Sequence, residues 1–326
     1  MKIFSRRSML AGATLLPFAG PALAAAAGKQ VAPPDVPAGE MLDAHIHFFT
    51  NDTGHYPVDL RHAREPEEVM RARVMRAPVL PSNMMAMWDR LGIGGAVGVQ
   101  YSGAYKADNS YVLDVADANP KRIGTEIILS SADPDSPALL ARLADKRRVS
   151  AIRLTGFVDN DGDLPWLKTP VAMKLWAMAQ ERRLPVGITY LRMDPRPAAF
   201  ETIRRFSDQF PGATIVLEHL GWLGGANSKD GLLPEHMALI DHRNVYFKWT
   251  TLNIDALCNA GIAPADFLRA AVDSFGASRL MWGSDFGNTT RPYAGIVADA
   301  HDATRLLNAR EAAAVLGGSA HTLYHL

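Results

Sequence analysis

Short apolar runs of six or seven residues recur along the chain, separated by longer stretches in which apolar positions return every three or four residues. The runs are MLDAHIH (41–47), GAVGVQY (95–101), IGTEIIL (123–129), VSAIRLT (149–155), PVGITY (185–190), ATIVLEH (213–219), NVYFKW (244–249) and RLMWGSD (279–285). Their length and β-branched content predict strands. Between them, NSYVLDVADANP (109–120), SPALLARLADKRR (136–148) and PVAMKLWAMAQERR (170–183) carry helical spacing, as Val171, Leu175 and Met178 show. Thr169 before Pro170 marks a helix start, an N-cap followed by proline in the first turn. Eight strands alternating with helices predict an α/β fold with a parallel sheet, and eight is the number that closes a (β/α)8 TIM barrel. A doubly wound open sheet is the other architecture of this pattern, but the glycine-rich GxGxxG loop that would favour it is absent. The long segment 48–80 reads as an insertion over one end of the barrel.

Residues 1–40 do not belong to that alternation. Residues 1–24 have a basic start with Arg6–Arg7 inside SRRSML, an apolar run from Met9 to Ala19 and a small-residue tail ending ALA. That is the layout of a twin-arginine signal peptide, and it implies recognition by the export machinery and a periplasmic or secreted protein. The apolar run is shorter than the ~20 residues that span a bilayer. Residues 25–40, rich in Ala, Pro and Gly, read as a linker, leaving 41–326 as one domain. Loss of residues 1–24 removes Lys2, Arg6 and Arg7, so 31 basic residues face 34 acidic ones, a net of −3. Such a chain has no charge signature for nucleic acid. Cys258 is the only cysteine, which excludes an intrachain disulfide and a thiolate cluster. In an oxidising compartment a lone thiol is expected to be buried.

Chemistry gathers at the strand ends. Alternate residues of a strand share a face, so His45 and His47 should point together into the barrel near its carboxyl end, where barrel enzymes place their active sites. His219 ends the sixth run and Asp285 the eighth. A carboxylate ending an apolar strand is costly unless it is hydrogen-bonded, paired or metal-bound, although Asp also caps turns. Arg153 alternates with Ile152 and Leu154 and so faces one side cleanly. Its planar fork suits a substrate carboxylate, a role for which Arg192 and Arg291 are further candidates. Tyr190 offers a hydroxyl at the barrel mouth, either to substrate or as an amphipathic core residue. Trp222, Trp249 and Trp282 read as packing residues.

DAHIH at the first strand, LEHLGW at the sixth and WGSDF at the eighth resemble the amidohydrolase superfamily, in order across residues 41–285. NSYVLDVADANPKRI (109–123) and NVYFKW (244–249) are similar to segments of its lactonase-like branch, which includes 2-pyrone-4,6-dicarboxylate lactonase and sugar-lactone hydrolases. The resemblance implies a hydrolase that opens a carboxylated or sugar-derived lactone, with Asp285 as general base and His219 assisting. One departure stands out: the fifth strand ends in Thr189–Tyr190 where many metal-dependent members have a histidine, and the fourth carries Arg153 and Thr155. Two versions therefore remain open. In one, His45, His47 and Asp285 hold a single divalent ion, zinc first; in the other, the three histidines polarise the carbonyl without metal. Amide hydrolysis, nonoxidative decarboxylation and non-catalytic periplasmic ligand binding are the rival functions.

Overall fold

The computed structural model describes residues 41–326 apart from 62, 64, 192, 193, 224–227 and 229. Residues 1–40, where a signal peptide and a linker are expected, and Arg192 lie outside the described residues. Eight parallel strands follow one another around a single sheet: β1 (Met41–Ile46), β2 (Ile93–Val99), β3 (Ile123–Ile128), β4 (Ala151–Gly156), β5 (Val186–Tyr190), β6 (Ile215–Leu217), β7 (Val245–Thr250) and β8 (Leu280–Gly283). Helices occupy the connections, among them Pro170–Arg182, which Thr169 caps by accepting from the Ala172 amide at 3.0 Å. The ring closes just past β8. Asp285 N donates to His45 O at 2.8 Å, His47 N donates to Phe286 O at 2.9 Å, and Ile46 bridges Phe286. This is a (β/α)8 TIM barrel, as the alternation of runs predicts.

The seam between β1 and β8 is tight because position 283 is glycine. A Cβ there would come within 2.5 Å of His45 Cβ, so any side chain would displace the histidine. On β1 the register gains a residue, since Asp43 pairs with Ala96 but Ile46 pairs with Gly98. Such a bulge re-aims side chains. Leu42 and Ala44 pack with Val97, Val99, Ala151, Val216 and Met281. Asp43, which simple alternation would group with His45 and His47, instead directs its carboxylate to the Ser284 amide (2.8 Å) and the Tyr293 hydroxyl (3.0 Å).

The main core lies between barrel and helices and contains Trp88, Trp176, Trp249 and Trp282, all fully buried. Trp249 and Trp282 are thus packing residues, as expected. The sixth strand is shorter than its run of apolar residues because the chain leaves the β region at His219 (φ 51°). Cys258 is exposed, against the expectation of burial, because the helix Thr251–Asn259 turns Ile254 and Leu257 inward instead. Among the described residues no helix is long and apolar enough to cross a membrane.

Candidate active site

At the carboxyl end of the barrel a cavity of about 340 Å³ opens over His47, Arg153, His219 and Asp285. His45 lies beneath it, fully buried. The two histidines of β1 converge as their spacing predicts, with His45 Nε2 and His47 Nε2 3.2 Å apart. Asp285 Oδ1 lies 3.5 Å from the first and 3.3 Å from the second. The carboxylate is aimed by strained backbone. Asp285 has φ 53°, a left-handed conformation costly for a residue with a Cβ, and such strain concentrates at functional sites. Its other oxygen accepts from Asn288 Nδ2 at 3.0 Å. Burial pushes the Asp285 carboxyl up, but His47, His219 and Asn288 outweigh it and hold the acid below its usual value.

His47 Nδ1 faces the Val99 carbonyl at 2.9 Å, and a carbonyl only accepts, so that nitrogen carries a proton and Nε2 is turned to His45 Nε2 and Asp285 Oδ1. His45 Nδ1 lies 3.5 Å from Glu218 Oε1 and makes no hydrogen bond. Burial, with Lys248 and His47 nearby, holds His45 well below its usual pKa and therefore neutral. His45 Nε2, His47 Nε2 and Asp285 Oδ1 thus face one another, the carboxylate oxygen having no hydrogen-bond partner among the described residues. That set fits a divalent cation. At metal–ligand distances of about 2.0–2.1 Å, a tetrahedral site places its ligands roughly 3.3–3.4 Å apart, close to the separations here. The backing of His47 by a carbonyl is the support that metal-bound histidines usually receive.

His219 sits in a left-handed turn that includes Leu220 (φ 53°) and Trp222 (φ 70°). Asn253 Nδ2 holds the His219 carbonyl at 2.9 Å, and His236 Nε2 donates to the Leu220 carbonyl at 2.9 Å. Tyr190 belongs to this scaffold. It is fully buried and its hydroxyl donates to the Gly221 carbonyl, so its role is to hold the turn and it does not line the cavity. The His219 ring lies 5.2 Å from His45 and stacks on Trp222 at 5.0 Å, with Nδ1 bonded to Thr250 Oγ1 at 2.7 Å. Trp222, expected only to pack, also forms cavity wall. Burial lowers the His219 pKa, against the pull of Asp285 and Glu218.

Arg153 does line the cavity, but Nε donates to Glu218 Oε2 at 2.7 Å and Nη2 forms an ion pair with the same oxygen at 2.5 Å. Arg291 is elsewhere: it pairs with Asp255 at 3.0 Å and with Asp299, and it does not line the cavity. An arginine reads the same in sequence whether it meets substrate or a surface carboxylate. Below the site lies a buried layer that sequence reasoning missed. Lys248 of β7 pairs with Glu126 of β3 and reaches Glu218 at 3.4 Å. Gly187 of β5 leaves room for it, since a Cβ there would overlap the Glu126 carboxylate. Burial works against every member. Lys248 nonetheless stays charged beside Glu126, and Arg153 and Lys248 hold Glu218 ionised, while Glu126 is raised above its usual range. The available signal was a charge in the middle of an apolar strand, which demands a partner of opposite sign.

A TIM barrel whose HxH pair and aspartate converge at its carboxyl rim places there three groups that could hold a metal ion. A family model described as amidohydrolase matches residues 42–326, and the chain belongs to that family. It is 26% identical over 253 residues to L-fucono-1,5-lactonase of Burkholderia ambifaria, covering 75% of this chain and 79% of that protein. Among solved structures, an amidohydrolase from Burkholderia multivorans with bound zinc superposes with a TM-score of 0.66 at 19% identity, over 88% of this chain and 99% of that one. A putative 2-pyrone-4,6-dicarboxylic acid hydrolase from Pseudomonas putida gives 0.66 at 22% identity, over 87% and 97%. The fold and family expected from the DAHIH, LEHLGW and WGSDF stretches are therefore correct.

Proposed function

We propose that the protein hydrolyses a small lactone. The observation that carries this is the convergence of His45 Nε2, His47 Nε2 and Asp285 Oδ1 within 3.5 Å of one another at the floor of the cavity; the likeness to L-fucono-1,5-lactonase favours a cyclic ester as substrate. His45, His47 and Asp285 would hold one divalent ion, zinc first, which supplies Lewis acidity toward the ester carbonyl and toward water. Asp285 takes a proton from the attacking water and returns it to the leaving alkoxide oxygen as the ring opens. Its depressed pKa keeps it ionised for the first of these steps. His219 presents its second ring nitrogen to the cavity to orient the water or a substrate hydroxyl. Thr155, whose buried Oγ1 has no partner in the protein, lines the same cavity and bonds the substrate. Arg153 spends two nitrogens on Glu218, so its charge is already offset. It therefore suits an uncharged ring substituent better than a second carboxylate.

A panel of sugar lactones, simple lactones and pyrone dicarboxylate, assayed by acid release before and after chelation, tests this. Lactone hydrolysis that falls after chelation and returns with zinc is expected, with about one ion per chain by elemental analysis. No hydrolysis of any lactone by zinc-loaded protein would end the proposal. We also propose export through the twin-arginine route from residues 1–24. A reporter fused after residue 30 should leave the cytoplasm, and Arg6→Lys with Arg7→Lys should retain it. Unimpaired export of that double variant would refute the assignment.

A further inference from the structure

The rim of the cavity is chemically two-sided. Because β4 to β7 are consecutive around the barrel, the segments leaving their carboxyl ends lie side by side along the mouth. Each contributes a large apolar side chain to the cavity: Phe157 after β4, Leu191 after β5, Trp222 after β6 and Leu252 after β7. Phe157 and Leu191 are neighbours, since Leu191 N donates to Gly156 O at 2.9 Å. The opposite side, built from the segments after β8, β1 and β2, is mixed. Met70 and Tyr101 are buried there, while Asn288, Glu65, Ser102 and Lys106 bring polar groups to the wall.

Two of the apolar four are conspicuously wet. Phe157 is 71% exposed and Leu191 51% exposed, and Phe157 is the most exposed large apolar side chain among the described residues. Scattered single apolar residues on a surface need no explanation. An adjacent pair continuous with the wall of a catalytic cavity does, because such patches mark binding sites. Arg153, Thr155, Thr189 and His219 bring polar groups to the cavity from these strand ends, but a polyhydroxylated ring substituent directed outward past them, against Phe157 and Leu191, would give up hydrogen bonds to water for apolar side chains. An alkyl or aryl substituent would release water from both surfaces.

We infer that Phe157, Leu191, Trp222 and Leu252 form a specificity subsite for an apolar substituent, so that the preferred substrates are lactones bearing an alkyl or aryl group on the ring. This rests on the lactonase reading and narrows it: the ring and its carbonyl sit over the histidines and Asp285, and the substituent leaves toward Phe157 and Leu191.

Five-membered lactones with unbranched side chains from methyl to heptyl are the probe. For the zinc-loaded enzyme kcat/KM should rise about 2- to 4-fold for each methylene that reaches the wall, mostly through KM. In the Phe157→Ser/Leu191→Ser double variant that gradient should flatten. Both side chains are exposed, so the substitutions leave the core untouched. A flat gradient in the wild type, or one that survives both substitutions, overturns the subsite. The matching alkyl lactams, titrated by calorimetry, read the wall without lactone turnover. Should no lactone be hydrolysed while lactam affinity still climbs with chain length, the hydrolase proposal fails and the subsite stands. Should lactones be hydrolysed with no dependence on chain length in either assay, the subsite alone fails.

Discussion

Asp285→Asn is expected to cut lactone turnover by about 10²- to 10⁴-fold, the range over which a positioned general acid–base group contributes. The substitution is nearly isosteric, and the environment dictates how the amide will sit. Its oxygen will accept from Asn288 Nδ2, as Asp285 Oδ2 does now at 3.0 Å. The amide nitrogen then replaces Oδ1 and points at His45 Nε2 and His47 Nε2, 3.5 and 3.3 Å away. The fold survives because the amide fills the same space and keeps the Asn288 hydrogen bond. Catalysis does not, because no group remains to take the proton from water, and metal retention should fall with the lost charge. Steady-state kinetics, a thermal unfolding curve and elemental analysis of the variant check all three. A variant with wild-type turnover would remove Asp285 from the chemistry.

The second large effect concerns stability. Lys248→Met removes the cation that faces Glu126 and Glu218, all three of them fully or almost fully buried. Breaking a buried pair from one side leaves an uncompensated charge and costs about 3–5 kcal/mol. The loss should also depend on pH. Burial already lifts the Glu126 carboxyl above its usual range, against the pull of Lys248, and without that pull it rises further. A carboxyl with a higher pKa in the folded than in the unfolded state binds more protons when folded. Stability is then retained below the unfolded value, near 4.5, and lost as the pH climbs through the interval. The deficit of Lys248→Met should therefore be larger at pH 8 than at pH 5 in urea titrations. Adding Glu126→Gln should recover part of it by removing the stranded acid. A single variant destabilised by less than about 1 kcal/mol at both pH values would show that the layer is not held together by this lysine.

The particular residues explain what could be read in advance. DAHIH, His219 and Asp285 were legible because the position of a strand end in a barrel is fixed by chain order, and polar groups there stand out against apolar runs. Tyr190 and Arg291 misled because a hydroxyl or a guanidinium carries no mark of its partner. One turned out to hold Gly221 and the other Asp255 and Asp299. Glu126, Lys248 and Glu218 were visible as charges but not as a set, Lys248 standing 122 positions from one partner and 30 from the other. Asp43 drew no reading from the sequence; past a register shift on β1 its carboxylate serves Ser284 and Tyr293 and not the histidine pair.

By itself, then, the sequence determined the barrel, through the period of its apolar positions, and the identity of the groups at its catalytic rim. Only the tertiary structure decided which ring nitrogens converge with Asp285, which cations are already paired and which part of the rim is apolar. Periodicity is a local property, carried by neighbours along the chain. Protonation, pairing and wall chemistry are set by groups that meet only when distant strands close into a ring.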